Sequence, residues 1–287
     1  MDRNPLFSVI IANYNNGCYL QDAIDSLLAQ NYDNWEAIII DDASPDNSKE
    51  IYDRYKEDPR FRVFFNEENK GYACSVNRGV EMARGDVVAR LDPDDVLFGT
   101  DVFETHIRKH HEMPNVTMVY SGMYKSDENL NIIGESPGVD VPEGSSILDM
   151  RSGPIHHFVS IKKKAYLKVG GMDELMRRAA DYDLYYKLEE EGKVFHLDCL
   201  QYVYRNNSHS ASLNDNLYKA RAWHVYACVQ AMKRRGLTDE SLMLFPMEDA
   251  LKKEFLKGYE KATSSRVYKA GLVLASPILW LKKLLKR

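Results

Sequence analysis

The sequence lacks the features that mark a disulfide-rich, zinc-binding or membrane-spanning protein. Its 287 residues contain four cysteines, scattered without a CxxC pair, which is typical of reduced thiols in a cytoplasmic protein. No apolar run reaches the length of about 18 residues that a spanning helix needs. The apolar run near the N-terminus is short and polar residues follow it, so no signal peptide is predicted. We therefore expect a cytoplasmic protein.

Glycine-rich phosphate-binding loops are also missing. Neither GxxxxGK[ST] nor GxGxxG occurs in the chain, and both motifs cradle nucleotide phosphates with backbone N–H groups. A diphosphate bound by this protein would need its charge neutralised in another way, and a divalent metal ion is the expected one.

Charge is distributed unevenly along the chain. The net charge is −5, but Leu251 to Arg287 carries ten basic and two acidic residues, a net +8, which leaves −13 for the remainder. The last part of this tail is apolar with basic ends and contains Trp280 and Pro277, a pattern that suits an interfacial helix on an anionic membrane surface. A helix packed on the protein body, or on a second copy in a homo-oligomer, is the alternative. No nucleic-acid partner is expected.

The first 90 or so residues alternate between two kinds of pattern. Short apolar segments rich in β-branched residues predict strands at 7–12, 36–40, 61–65 and 87–91, and helical spacing predicts helices at 18–30, 48–57 and 72–83. Strands that alternate with helices are typical of a parallel sheet with helices on its faces. Binding sites in such sheets lie just outside the carboxyl ends of the strands.

Polar residues follow each of these four strands. They are Asn13 and Tyr14, Asp41 and Asp42, Asn66 and Lys70, and Asp92, Asp94 and Asp95. Three carboxylates within four residues repel one another, and a Mg²⁺ or Mn²⁺ ion would offset that repulsion with the hard oxygen ligands it prefers. A solvated acidic turn that caps the next helix is the other interpretation of the last group.

The second half of the chain is less regular. Helices are predicted at 102–111 and 213–235, and roughly at 248–261. Strands are predicted at 116–120, 155–161, 193–197 and 201–205. Hairpins and an acceptor-side loop are predicted between 121 and 153. His106, His110 and His111 are expected on the surface of the first of these helices. His156 and His157 either contact an acceptor or form a half-buried structural pair.

Asp181 is the candidate catalytic base. The apolar residues Leu184 and Leu188 follow it at helical spacing, so Asp181 is predicted near a helix N-terminus, where the helix dipole favours an ionised carboxylate. A plain N-cap aspartate is the alternative.

Several of these segments resemble the inverting glycosyltransferases of family 2. The resemblance covers roughly residues 5 to 205 and rests on 8–15 (SVIIANYN), 39–46 (IIDDASPD), 69–79 (NKGYACSVNRG), 91–95 (LDPDD) and 170–183. It implies a GT-A fold, a nucleotide-sugar donor, a divalent metal (Mn²⁺ or Mg²⁺) and a hydroxyl acceptor on a glycan or lipid-linked molecule.

The resemblance also implies roles for individual residues. A carboxylate can accept the imide N–H of uracil and an aromatic ring can stack on the base, so donor contacts are expected from Ala12, Tyr14, Asp41 and Asp42. The alternative is that the two acids cap a helix and that Tyr14 packs against the sheet. Lys70 and Arg78 are expected at the diphosphate, although each could equally be a surface residue. In the family pattern Asp92-Pro93-Asp94 is the DxD element. It assigns Asp94 to the metal and Asp92 to the ribose or metal, and Asp95 is a further candidate metal ligand. His209 is the candidate for an extra metal ligand, and a loop histidine without a role is the alternative.

The family pattern places the catalytic base at Asp181. Ala180 stands where many members have glutamate, and this departure keeps Asp183 in consideration. We predict an α/β protein of GT-A type, with a mostly parallel Rossmann-like sheet flanked by helices and a C-terminal helical appendage. The expected domains are 1–98 for the nucleotide sugar, 99–212 for the acceptor and base, and 213–287 for the helical region with the basic tail.

The predicted function is transfer of a sugar from a nucleotide diphosphate sugar, UDP-linked by preference, in cell-envelope or exopolysaccharide synthesis. The enzyme would be held peripherally at the inner face of the cell membrane. A sugar-phosphate nucleotidyltransferase is one alternative, although it should carry a glycine-rich basic loop after the first strand, and residues 13–17 contain no Lys or Arg. The other is an inactive nucleotide-sugar-binding scaffold at the membrane, against which the retained acids argue.

Overall fold

A computed structural model describes residues 4–150, 155–207 and 217–237 of the chain. The strands are Phe7–Asn13 (β1), Trp35–Asp41 (β2), Phe61–Phe65 (β3), Val87–Arg90 (β4), Val96–Leu97 (β5), Val116–Ser126 (β6), Ile132–Ser136 (β7), Val159–Lys162 (β8) and Lys193–Arg205 (β9). The helices are Gly17–Leu28 (α1), Ser48–Asp53 (α2), Tyr72–Met82 (α3), Val102–Glu112 (α4), Lys163–Lys168 (α5), Ala180–Glu191 (α6) and Leu217–Arg234 (α7), with a 3₁₀ turn at Ile147–Asp149.

The strands form one sheet in the order β3-β2-β1-β4-β8-β6-β9-β5, and β7 pairs with β6 beside β8. The first four strands are parallel, as the alternating pattern predicts. β8 runs antiparallel to β4, and β6 and β9 are parallel to each other. The carboxyl ends of β1, β2, β3 and β4 therefore meet at one edge, and the predicted α/β class with its flanking helices is confirmed.

Alternating side chains of the central strands face two separate hydrophobic cores. Ile10 and Ile38 face the core built with α3 and α6, whereas Val9 and Ile39 face the core built with α1 and α4. Every residue of β1 and β2 is buried, because helices cover both faces of this part of the sheet. The absence of a side chain at Gly79 lets α3 approach closely, since a Cβ there would lie 2.4 Å from Cγ2 of Ile10.

Some details differ from the sequence-based expectations. The two predicted closing strands form the single strand β9, which pairs with β6 through register shifts. The expected hairpin region contains β7, which folds back on β6. The predicted strand at 155–161 begins only at Val159.

The expectation that His106 and His110 lie on the surface is wrong. Both are buried, and Nδ1 of His106 and Nε2 of His110 lie 2.7 and 2.9 Å from Oγ of Ser160. They occupy the inward face of α4, where helical spacing of three or four residues places side chains on one side. His111 is exposed, as predicted.

All described residues lie within one compact unit, Met1–Thr238. The predicted boundaries at 98 and 212 stay predictions. The basic tail, the predicted helix at 248–261 and His209 lie outside the described residues. In the part of the chain that the structure describes, no helix has the length and apolarity needed to cross a membrane.

Candidate active site

Asp41 is built into the end of β2 by hydrogen bonds from the protein itself. Its Oδ1 accepts from the backbone N–H of Ser44 at 2.8 Å, and its Oδ2 accepts from the hydroxyl of Tyr52 at 2.8 Å. The amide of Asn13 lies 3.4 Å from the same Oδ2. Burial and the Asp41 charge raise the pKa of Tyr52, so this phenol stays protonated and keeps donating.

Asp42 joins β2 to the loop that precedes α3. Its Oδ1 accepts from Nδ2 of Asn66 at 2.6 Å and from the backbone N–H of Lys70 at 2.9 Å, and its Oδ2 accepts from the N–H of Gly71 at 2.8 Å. Gly71 has φ of 92°, a conformation that glycine adopts without strain. Asp42 is 3% exposed, so it fixes the shape of this edge.

The other predicted donor residues border the same edge. Tyr14 is 47% exposed and leaves a ring face available, whereas Ala12 is buried. The side chain of Lys70 is exposed. Arg78 donates to the carbonyl of Phe65 at 2.9 Å and to Oδ1 of Asn66 at 2.5 Å, so its guanidinium braces the end of β3.

Asp95 has a different environment from the one expected of a metal ligand. Its Oδ2 accepts from the hydroxyl of Tyr202 and its Oδ1 from the N–H of Arg205, both at 2.8 Å. Burial, with Asp94 beside it, raises the pKa of Asp95. Arg205 also donates from Nε to the carbonyl of Asp94 at 2.7 Å. Asp95 and Arg205 together attach the acidic turn to β9.

Asp94 faces the open side of this turn. Its Oδ2 accepts from Nδ2 of Asn207 at 2.8 Å. Burial and the nearby charge of Asp92 raise the pKa of Asp94. A cation would offset the two negative charges, so the donor set fits a hard divalent ion.

Among the described residues, protein side chains do not by themselves form a metal-binding cluster at this turn. Within 4–150, 155–207 and 217–237, no three His, Cys, Asp or Glu side chains converge to hold a metal ion. Mg²⁺ is usually held by one or two carboxylates together with substrate phosphates. Asp94 and Asp92 therefore fit an ion that arrives with a phosphorylated ligand.

Arg90 is the residue at this site that the sequence analysis missed. It ends β4, and its Nε lies 3.6 Å from Oδ1 of Asp92. Its Nη2 lies 2.8 Å from Nε2 of His157 and 3.8 Å from Oδ2 of Asp181. Tyr72 adds a hydroxyl 3.1 Å from Oδ1 of Asp92. The signal for Arg90 was a charged residue inside an apolar strand, since such a residue needs partners when buried.

The charge of Arg90 changes the titration of its neighbours. Burial alone would raise the pKa of Asp92, but Arg90 and the neighbouring His157 outweigh it and hold that pKa below its usual value. Burial, with Arg90 beside it, lowers the pKa of His157 to about 4. Near neutral pH the site thus contains an ionised Asp92 and a neutral His157.

Asp181 lies in the first turn of α6, as the helical spacing predicts. Its Oδ1 accepts from the backbone N–H of Tyr182 at 3.0 Å, and its Oδ2 faces Arg90. Asp183 points elsewhere: it is 2% exposed and pairs with Lys187 at 2.6 Å and with Arg234 at 3.0 Å. Of the two candidates for the base, Asp181 is the one that the fold brings to the acidic turn.

Carboxylates from β4 and from α6 thus meet at the carboxyl edge of a parallel α/β sheet, beside the loops that follow β1 and β2. This edge is where ligands bind in parallel α/β sheets. The chain matches the model of the family described as glycosyl transferase family 2 over residues 8–170, more than half of its length. It belongs to glycosyltransferase family 2, which confirms the resemblance drawn from the motifs.

Named relatives include enzymes of polysaccharide synthesis. The hyaluronan synthase of Pasteurella multocida is 30% identical over 241 residues, which cover 83% of this chain and 24% of the relative. EpsE of Bacillus subtilis (strain 168), provisionally named a glycosyltransferase, is 32% identical over 215 residues, which cover 72% of this chain and 76% of EpsE. The chain spans about a quarter of the length of the hyaluronan and chondroitin synthases it matches.

Solved structures share the fold. Residues 1–349 of S. aureus TarS, in complex with UDP-GlcNAc, superpose with a TM-score of 0.68 at 18% identity, covering 92% of this chain and 77% of that one. The mannosyltransferase PcManGT from Pyrobaculum calidifontis, in complex with GDP-Man and Mn²⁺, superposes with a TM-score of 0.59 at 15% identity, covering 97% and 81%. The predicted GT-A fold is confirmed.

Proposed function

We propose that this protein is a metal-dependent inverting glycosyltransferase that moves a sugar from a UDP-sugar to a hydroxyl group of a growing cell-surface polysaccharide. The proposal rests on one observation above all: Asp181, a carboxylate at a helix N-terminus, faces the Asp92–Asp94 turn across a single guanidinium. The hyaluronan synthase relative and the UDP-GlcNAc complex of TarS support the substrate classes. The Mn²⁺ complex of PcManGT supports the metal.

The chemistry assigned to the chain is a single displacement. Asp181 takes the proton of the acceptor hydroxyl as that oxygen attacks the anomeric carbon. The bond from the anomeric carbon to the diphosphate oxygen breaks on the opposite face, so the configuration inverts. A divalent ion held by Asp94, with Asp92, would supply the counter-charge for the departing diphosphate. His209 stays a prediction as an additional ligand.

Donor recognition is assigned to the edge formed by β1, β2 and α3. Tyr14 stacks on the base, and Ala12 lines the pocket beneath it. Asp41 and Asp42 already accept hydrogen bonds from the protein, but a carboxylate has about four lone-pair positions and can accept a further bond from the uracil imide. Lys70, whose side chain is exposed, approaches the diphosphate. Arg78 supports the same edge from β3.

Membrane association is assigned to the C-terminal tail. The apolar and basic composition of residues 266–287 suits adsorption to anionic lipid at the inner face of the cell membrane. Co-sedimentation of the full-length protein with phosphatidylglycerol vesicles, compared with phosphatidylcholine vesicles and with a chain ending at residue 238, tests this assignment. Equal binding of both chains would refute it.

A donor screen tests the proposed function as a whole. We expect one UDP-sugar to raise the melting temperature of the protein in the presence of Mn²⁺ or Mg²⁺, since a ligand that binds the native state stabilises it. The same UDP-sugar should release free UDP on incubation, and the release should be faster when an acceptor oligosaccharide is present. A nucleotidyltransferase would instead join a sugar 1-phosphate to the nucleotidyl group of a nucleoside triphosphate and release pyrophosphate. Stabilisation without any released UDP would indicate a binding scaffold.

A further inference from the structure

Arg90 connects the two halves of the site. Its guanidinium contacts Asp92, in the turn after β4, and Asp181, in the first turn of α6, and these two segments lie about 90 residues apart in the chain. The side chain of Arg90 is 11% exposed. It is held in place by His157, which precedes β8, and by the ring of Tyr72, whose centroid lies 5.5 Å from the guanidinium carbon.

The distances show that Arg90 forms charge pairs, and not hydrogen bonds, with the two carboxylates. Arg90 lies 3.6 Å from Asp92 and 3.8 Å from Asp181, beyond normal hydrogen-bond lengths. The 2.8 Å contact goes to His157 instead. The guanidinium therefore offsets the charge of both carboxylates but leaves oxygen lone pairs of each free to accept bonds from substrate.

We propose that Arg90 is a positioning residue that couples donor binding to the base, by holding Asp92 and Asp181 at a fixed separation on one guanidinium. This inference rests on the proposed function and adds a role for a residue to which no function was assigned. A planar fork suits the task because it can face two carboxylates at once, whereas a lysine ammonium is a single point charge. Without the guanidinium, these two partly buried carboxylates would repel each other and move apart.

Activity and chemical rescue provide the first test. In the full-length protein, Arg90→Ala should lower kcat on the order of 100-fold, the loss that a misplacement of about 1 Å can cause, while the donor KM changes less than the rate. The kcat of Arg90→Lys should lie between the kcat of the wild type and that of Arg90→Ala. Methylguanidinium, added at concentrations that leave the wild type unchanged, should restore part of the rate of Arg90→Ala but none of the rate of Asp181→Asn.

Arg62 offers a matched control. It is also a partly buried arginine paired with a carboxylate, Glu36, at 3.0 Å, but it lies on β3 away from the acidic turn. Arg62→Ala should lose stability and keep its kcat per folded molecule. Equal kcat losses in the Arg62 and Arg90 variants, or a failure of methylguanidinium to restore activity, would reduce Arg90 to a structural residue and overturn the proposal.

Thermal unfolding gives a readout that does not depend on activity. Because Arg90→Ala leaves Asp92 facing Asp181, adding Asp181→Asn should restore part of the lost melting temperature. If the double variant instead loses the sum of both single effects, the coupling is overturned. A wild type that transfers no sugar refutes the proposed function, and the unfolding cycle still decides whether Arg90 couples the carboxylates.

Discussion

Two groups of acidic residues at the same edge of the sheet are held in different ways. At the end of β2, Asp41 and Asp42 are 4% and 3% exposed, and their oxygens accept hydrogen bonds from backbone and side-chain donors. At the end of β4 and in the first turn of α6, Asp92 and Asp181 face a guanidinium at 3.6 and 3.8 Å. Protein donors hold the oxygens of the first group, whereas the oxygens of the second group keep more bonding capacity for substrate.

The largest expected effect is on catalysis by Asp181. Asp181→Asn should lower kcat by about 10²- to 10⁴-fold, the usual contribution of a general base, with donor affinity nearly unchanged. Steady-state kinetics and calorimetric titration of the donor measure both quantities. Asp183→Asn is the comparison: it breaks the pairs with Lys187 and Arg234 and should cost stability rather than rate. A weak donor affinity in Asp181→Asn would contradict its role.

The next effect concerns metal-dependent donor binding. Asp94→Ala should weaken donor affinity in the presence of Mn²⁺ on the order of 100-fold. Substituting a residue that only contacts a metal ligand already lowers metal affinity or activity about 10- to 100-fold. Titration of the donor with and without Mn²⁺ measures the loss. Asp95→Asn should mainly lower the melting temperature, since its oxygens hold Tyr202 and Arg205. If Asp94→Ala binds donor equally well with and without Mn²⁺, the metal assignment is wrong.

Substitution at the β2 end should act on stability. Asp42→Ala removes the acceptor of three hydrogen bonds, including the backbone N–H groups of Lys70 and Gly71, and should cost about 3 kcal/mol of unfolding free energy. Urea denaturation measures this cost. Lys49→Ala removes only an exposed pair with Asp53 and should change stability by less than about 0.5 kcal/mol. A similarly small loss for Asp42→Ala would erase the contrast between the two groups.

A pH dependence of stability is expected at a place far from either group of acids. Burial lowers the pKa values of His106 and His110 to about 3, against about 6.5 in the unfolded chain. Between these pH values only the unfolded chain takes up the protons. The stabilisation is therefore complete above about pH 6.5 and falls as pH drops, by about 1.4 kcal/mol per pH unit for each histidine. Urea midpoints from pH 7 to 4 measure the slope.

Two variants calibrate that slope. His110→Leu should make it shallower, because it removes one buried group that gains a proton on unfolding. His111→Gln should leave it unchanged, because His111 is exposed. An unchanged slope in His110→Leu would show that other groups account for the pH dependence.

Local pattern was enough to predict much of the fold. The apolar segments that became β1 to β4 and the helical spacing after Asp181 are periodic signals, and each depends on residues close together in sequence. The polar residues after each strand also predicted where a site would form, because parallel strands place their carboxyl ends at one edge. The positions of Asp92, Asp94 and Asp181 at one site followed from this rule together with the family resemblance.

Helix faces and partners were harder to predict. The pattern of α4 did not show that His106 and His110 turn inward, because burial depends on Ser160 and on the sheet that packs against the helix. The role of Asp95 depends on Tyr202 and Arg205, more than 100 residues away. Such contacts have no periodic signal in the chain.

The sequence by itself determined the family, the alternation of strands and helices in the first 90 or so residues, and the presence of an acidic site. The tertiary structure decided which acids are held mainly by protein donors and which keep more bonding capacity, because that depends on donors and cations brought from distant segments. Arg90 shows the difference most directly. In the sequence it is one charge in an apolar strand, and in the fold it is the cation between Asp92 and Asp181, where low solvent exposure strengthens the interaction of charges.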